Sequence, residues 1–499
     1  MVCNYNERVN IMKNLIEKII VIVVVAVLVM AISVFVIVPY FKIYALNDIV
    51  DQVKEMPGFE NSTVVINAKY EGDNDFVLSE NADVLIHPGS NYKLFVAAAA
   101  FHYLRPEFVF KTDFYVVEKN GKKNLLIKGC GDPTLRMDLI QEIAIDFKDK
   151  GIFIDGDLYY DDSYFNGEQY GPDWEEEWKN VYFAVPIAAL QLSDNIIYLD
   201  GRGSSYNGNF EVQTAPIKNY GTIIDKRVLI DEEGDLGDIS AMIVSDDSIS
   251  IEGKTFGNED FSTSANMKNP ALETARVFRQ EFSAFELMDE NAKIVQKTLN
   301  DVDHDGLKKE LVYEYRSNSL SEVVRRMLTF SKNNYGETLI RVMGEEINKN
   351  SSAKGSQAKG VELLKRFLVN EVGISVNDFV AMDGSGMSPS TRVTGRAIMQ
   401  LFDYVNSQDW KKVYWAVLPT SNNEGTLHHR FSGLDMGNMV VAKTGTHYFA
   451  SSLSGKIVGE GKPILFDIHI FDHSIPIGYT TTIVHPVIDT IVKLLSERL

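Results

Sequence analysis

Polarity changes character several times along this chain, and the first change is the sharpest. Ile19 to Val38 form 20 consecutive positions without a charge and with one hydroxyl, Ser33. At the rise of an α-helix they reach about 30 Å, the thickness of a bilayer core. The run predicts a transmembrane helix, with residues 1–18 as a short cytosolic tail. Arg8, Lys13 and Lys18 precede it against Glu7 and Glu17, and the nearest charges beyond it are Lys42 and Asp48. That slight basic excess favours an N-terminus inside and the large remainder outside the cytoplasm. A cleaved signal peptide is the rival reading. Its apolar core is usually about 7–15 residues, and the weak A-x-A-like site here, Ala31-Ile32-Ser33, lies inside the run.

After the span, Ile43 to Val53 carries a helical pattern within a juxtamembrane stretch at 40–62. Thr63 to Tyr70 has strand composition. His87-Pro88-Gly89 is turn chemistry, and the alanine-rich run Leu94 to Leu104 predicts a buried helix. From about 105 the texture shifts. Phe114 to Lys128 reads as a hairpin around Asn120-Gly121, Leu139 to Lys148 as a helix and Ile152 to Tyr160 as a strand. Short strands with polar turns fill 195–255, including Arg227 to Ile230 and Ser248 to Ile251. Pro270 to Leu287 reads as a helix, and 299–310 as a charged loop. Leu320 to Thr329 then opens a new alternation of helices and strands. Its strands lie around Met439 to Ala442, Leu453 to Val458 and Ile464 to Phe471, with a closing helix at Val484 to Arg498. The pattern predicts an α/β domain in two pieces, 39–110 and 315–499, interrupted by a mostly β insertion at 111–314.

Composition narrows the function classes. The 499 residues exceed one core and imply more than one domain. A net charge of −20 argues against nucleic acid and against a broad basic surface on anionic lipid. The two cysteines, Cys3 and Cys130, make no disulfide framework. The nine histidines show no HExxH or paired-ligand spacing, so neither a metal nor another cofactor is expected.

Candidate chemistry rests on three short strings. Ser-x-x-Lys occurs at Ser90/Lys93, Ser351/Lys354 and Ser356/Lys359. Any one copy alone reads as a helix N-cap or a solvated loop. Only Ser90 follows a Pro-Gly turn and opens an apolar helix, where i, i+3 spacing brings Lys93 beside it. Burial and the helix dipole would both disfavour an ammonium there, leaving a neutral amine to take the serine proton. Ser-x-Asn is commoner still, and two of its copies bear on the chemistry, Ser193-Asp-Asn195 and Ser331-Lys-Asn333. The second lies at a helix junction able to lean a hydroxyl and an amide into a cleft. The first sits on what reads as a strand and is assigned a structural role. Lys-Thr-Gly occurs once, at Lys443-Thr444-Gly445, followed by Thr446, between the strand Val440 to Ala442 and the next. Lys443 offers a fixed positive charge, Thr444 and Thr446 offer hydroxyls for a carboxylate, and Gly445 allows close approach of a ligand backbone.

This set, in this order, is that of penicillin-binding proteins and class A β-lactamases. The chain resembles the class C low-molecular-mass penicillin-binding proteins, the D-Ala-D-Ala carboxypeptidase/endopeptidases of peptidase family S13, over roughly residues 60 to 499. Gly131 to Leu135, Tyr160 to Phe165 with Trp174, Tyr182 to Ala184 with Pro186, Asp383 to Ser388, and Gly425 to Leu427 with Arg430 resemble further blocks of that family. The resemblance implies a transpeptidase-like α/β domain with an insertion between the first two motifs. It implies Ser90 as the acylated residue, Lys93 as its base and Ser331 as proton relay. Asn333 would hold a substrate carbonyl, and Lys443, Thr444 and Thr446 the terminal carboxylate. The N–H groups of Ser90 and Thr446 would form the oxyanion hole. Asp383 and Ser385 would play supporting roles. The chain departs from the family at Cys130, usually glycine, at Lys332, more often Asp, and in an uncleaved anchor.

The expected activity is therefore that of a serine D-Ala-D-Ala carboxypeptidase, with the balance between this and endopeptidase action on crosslinks left open by the sequence. It would be membrane-tethered outside the cytoplasm, take peptidoglycan stem peptides, and be inhibited by β-lactams. A β-lactamase shares the nucleophile, but the insertion and Gly131 to Leu135 count against it. A non-catalytic wall-binding or penicillin-sensing module is the reading from another class; intact motifs and a tiny cytosolic tail argue against it.

Overall fold

The computed structural model describes residues 48–203, 210–218, 220–225, 228–230, 237–245, 248–256, 260–347, 355–421, 423–434, 436 and 439–497. The tail, the span at 19–38, Cys3, Arg227 and the Ser351/Lys354 copy lie outside the described residues. Among the described residues no helix is long and apolar enough to cross a membrane.

The site is carried by a five-stranded antiparallel sheet. Its strands are β1 (Thr63–Tyr70), β2 (Leu78–Glu80), β3 (Met439–His447), β4 (Ala450–Val458) and β5 (Ile464–Phe471), in the order β3-β4-β5-β1-β2. β1 and β5 are nearly continuous apolar runs rather than alternating ones, because the sheet is covered on both faces. One face packs on the C-terminal helix His485–Ser496 through Ile66, Leu453, Ile468, Ile488 and Ile491. The other meets a helical layer built from α1 (Lys93–Leu104), α2 (Leu320–Thr329), α3 (Asn333–Ile347) and α4 (Gly395–Ser407).

α1 is buried all round from Lys93 to Phe101, as an alanine-rich helix with no polar face must be. It stops where Arg105 turns left-handed at φ +70° ahead of Pro106. α2 is strongly one-sided, burying Val323, Val324, Met327 and Leu328.

A second five-stranded sheet runs Ile294–Gln296, Leu158–Asp161, Lys122–Gly129, Val109–Lys119, Lys308–Ser319. Its hairpin turns at Asn120 and Gly121, both with positive φ, the geometry that favours Asn-Gly. Helices Met137–Asp149 and Pro270–Ala284 pack on it around Phe114, Phe147, Phe278 and Phe282.

Several expectations are corrected here. The stretch 299–310 is no loop: Thr298 and Asp301 form a reciprocal cap on a helix Leu299–His304, and Lys308–Ser319 is a strand. Charge hid that strand, because its side chains are mostly half-buried or exposed and it pairs with Val109–Lys119 along a wet face. The strand expected at Ile152 to Tyr160 begins only at Leu158. Ser193–Asn195 is not strand but a tight turn with three successive positive φ angles. Lys-Thr-Gly does not follow a strand; it lies within β3.

Candidate active site

The first motif sits where a short 3-10 turn, Gly89–Tyr92, runs into α1. Gly89 has φ +52°, and a side chain there would meet the backbone N of Thr446 at 2.9 Å. The nucleophile turn thus lies directly against β3. A side chain at Gly445 would collide with Pro88 O and Ser452 Oγ and reach Asn91 N at 3.1 Å. Gly445 was expected to admit a ligand backbone; its bareness instead admits the turn that bears Ser90.

Lys93 is fully buried, and its Nζ contacts Ser90 Oγ at 2.8 Å, Asn333 Oδ1 at 2.6 Å and Ser385 O at 2.9 Å. Two of these atoms can only accept. Asn333 is oriented by Nδ2 donating to Phe183 O at 2.9 Å, which turns Oδ1 to the lysine. A neutral amine would give its two N–H groups to Asn333 and Ser385, leaving its lone pair for the Ser90 proton. Burial pulls the lysine down to about 7, opposed by the charges of Asp383 and Glu337.

Those two carboxylates also hold the neighbouring loop. Asp383, wholly buried, accepts from Gly386 N, Ser388 N and Trp174 Nε1. Glu337 on α3 accepts from Gly384 N and pairs with Arg341. This loop delivers the Ser385 carbonyl to Lys93.

The second motif falls between α2 and α3. Ser331 has φ +57°, a left-handed conformation that costs a non-glycine residue about 1 kcal/mol. Lys443 Nζ reaches its hydroxyl at 3.0 Å. Lys443 is itself fully buried, and burial followed by the proximity of Lys93 lowers it well below an ordinary lysine. The two buried amines oppose each other's protonation.

Ser90, Ser331, Asn333, Thr444 and Thr446 all line one cleft of about 620 Å³, with Lys93 and Lys443 buried behind its hydroxyls. Its remaining walls are mostly aromatic and apolar, with Trp178, Tyr182, Phe183, Phe330, Met387 and Tyr448, joined by Thr426 and His447. Sequence reading missed most of this wall. Tyr182 and Phe183 stood in a block already noted, but nothing local marks them as facing Ser331. His87 was missed as well. Its Nδ1 accepts from Gly89 N at 3.1 Å, Nε2 lies 3.0 Å from Ser388 O, and its ring stacks on His447 at 4.0 Å. Burial, then His447, pushes it down to about 3, so it stays neutral while joining the nucleophile turn, the Asp383–Ser388 loop and the end of β3.

Among the described residues, Ser356/Lys359 and Ser193–Asn195 do not join the site. Ser356 caps a helix, accepting from Lys359 N at 3.2 Å. Asn195 is buried, donating to Pro186 O and Gln191 Oε1. The thiol of Cys130 is pushed up to about 12, chiefly by burial, and so stays protonated. Lys332 adds no free charge to the cleft, since its Nζ pairs with Asp194 at 2.9 Å.

Comparison with known proteins places these features in context. The model of the D-Ala-D-Ala carboxypeptidase 3 (S13) family matches residues 45–472. A D-alanyl-D-alanine carboxypeptidase of Actinomadura sp. (strain R39) is 25% identical over 458 residues, 87% of this chain and 82% of that protein. D-alanyl-D-alanine carboxypeptidase DacB of Haemophilus influenzae is 23% identical over 429 residues, 83% of this chain and 85% of that one. The crystal structure of penicillin binding protein 4 (dacB) from Haemophilus influenzae superposes with a TM-score of 0.76 at 21% identity, covering 91% of this chain and 99% of that one. The fold is therefore the α/β fold of that penicillin-binding protein.

Proposed function

The chain belongs to the D-Ala-D-Ala carboxypeptidase 3 (S13) family, and from that premise we propose a serine acyl-enzyme mechanism centred on Ser90. The activity is that of a D-alanyl-D-alanine carboxypeptidase on peptidoglycan stem peptides. One observation carries the assignment: a buried lysine held near neutrality, two of its contacts acceptors only and the third the Ser90 hydroxyl.

Neutral Lys93 takes the proton as Ser90 Oγ attacks the carbonyl of the penultimate D-alanine. The N–H groups of Ser90 and Thr446, adjacent across the turn, hold the developing oxyanion. Ser331, held by Lys443, passes a proton to the departing amine of D-alanine and takes in its place the proton that Lys93 removed from Ser90, which returns Lys93 to its neutral form. Lys443, Thr444 and Thr446 receive the terminal carboxylate, whose charge restores the ammonium that burial disfavours. Water then attacks the ester, with Lys93 again as base.

The test is labelling with a fluorescent penicillin, followed by mass spectrometry of products from defined muropeptides. Ser90→Ala should abolish the covalent adduct, and released D-alanine should appear with wild type only. Persistent labelling in Ser90→Ala would overturn the assignment. Products from crosslinked dimers separate an added endopeptidase activity from the carboxypeptidase alone.

We also propose that residues 19–38 anchor the chain, with the catalytic part outside the cytoplasm; the uncharged run and its flanking charges support this. Alkaline extraction should leave the full-length chain in the membrane fraction. A shortened, soluble product would mean that the segment is removed.

A further inference from the structure

The second motif carries an ion pair that the acyl-enzyme chemistry does not use. Lys332, between Ser331 and Asn333, reaches Asp194 at 2.9 Å, and the two side chains are 33% and 17% exposed. Asp194 is the middle residue of the left-handed turn Ser193–Asn195. That turn is well fastened to its own segment: Asn195 donates to Pro186 O at 2.7 Å and to Gln191 Oε1 at 2.9 Å. Gln191 in turn donates to Thr338 Oγ1 on α3 at 3.0 Å. The same segment begins with Tyr182 and Phe183, the aromatic wall of the cleft, and Asn333 Nδ2 holds Phe183 O.

This wall is not packed into a core: Tyr182 and Phe183 are exposed, and a surface recess of about 100 Å³ beside them is lined by Phe183, Val185, Asp194, Phe330 and Lys332 among others. Side chains so placed have few packing neighbours to hold them. Polar links therefore set the distance between the wall and the Ser331–Asn333 turn, and Lys332–Asp194 is the charged one. Arg326 also faces Asp194, and Asn334 Nδ2 lies 3.5 Å from its Oδ1.

We propose that the Lys332–Asp194 pair is a positioning device that sets the aromatic wall against the second motif and thereby tunes affinity for the peptide residues preceding D-Ala-D-Ala. The inference rests on the acyl-enzyme reading and names its specificity. With the terminal carboxylate at β3, those preceding residues would run towards Tyr182 and Phe183, which line the same cleft. A ligand that fills only the β3 side does not sense the wall's position.

The experiment compares the full chain with Asp194→Asn, Lys332→Met, the double variant and Lys332→Arg. Asn tolerates the left-handed backbone at 194, so that substitution removes charge without new strain. Each is assayed for KM and kcat on a pentapeptide ending in D-Ala-D-Ala, and for its rate of labelling by fluorescent penicillin. Both single variants should raise KM for the pentapeptide roughly fivefold, the scale of one half-exposed ion pair, with kcat and penicillin labelling within about twofold. The double variant should be no worse than either single one, and Lys332→Arg should match wild type. Unchanged KM in Asp194→Asn overturns the inference, as does an equal fall in all rates, which would mark general damage. A KM effect in Lys332→Met alone would also overturn it, assigning the ammonium to direct substrate contact. If wild type never labels at Ser90, the acyl-enzyme reading itself falls, an outcome distinguishable from all of these.

Discussion

Ser90-Asn-Tyr-Lys93 and Ser356-Gln-Ala-Lys359 are the same string in two settings. In the second, the serine is an N-cap: its hydroxyl accepts from the backbone of Lys359, and the lysine side chain is partly exposed. In the first, the serine lies in a turn that ends as the helix begins, and the lysine side chain is sealed beneath it. The partners of Lys93 come from positions 333 and 385, far along the chain. A hydroxyl with a lysine three residues on is thus not a catalytic unit. It becomes one when distant segments exclude water and leave the amine two carbonyl acceptors and one hydroxyl.

The sharpest way to break this comparison is to remove each amine in turn. Lys93→Met should slow acylation about 10³-fold, the scale of general-base catalysis, while Lys359→Met leaves it unchanged. Because Lys93 must be neutral to act and sits at about 7, the wild-type acylation rate should rise with pH through that value and fall below it. Stopped-flow labelling across pH 5–9 measures the limb; a flat profile would mean that another group takes the proton. The smallest effect is expected from Ser356→Ala. It should leave labelling intact and lower unfolding stability by about 1 kcal/mol through loss of the cap, as read by urea denaturation. A loss of labelling there would end the distinction between the two copies.

The Ser-x-Asn strings at Ser193 and Ser331 differ in a related way. Both occupy left-handed turns at Ser331 and at Ser193–Asn195, so local backbone does not separate them. What separates them is the company each keeps: Lys93, Lys443 and the cleft for one, Pro186 and Gln191 for the other. The structure then joins them, since Asp194 of the second string pairs with Lys332 of the first.

Much of the fold was legible in local pattern. Thr63 to Tyr70 and Ile464 to Phe471 announced themselves as strands by their branched and aromatic residues, Leu94 to Leu104 as a buried helix by its alanines, and Asn120-Gly121 as a hairpin turn. Lys308 to Ser319 was hidden, because a half-exposed strand with alternating charge looks like a loop until its neighbour is known.

The sequence by itself determined which short strings are present, their order and the periodicity of the elements that carry them, because each depends on near neighbours. Tertiary structure alone decided that Lys93 and Lys443 lie buried in one site, that Gly445 makes room for the nucleophile turn, and that aromatic residues from three segments wall the cleft. Burial and through-space contact are set by residues hundreds of positions apart, and no local window of sequence contains them.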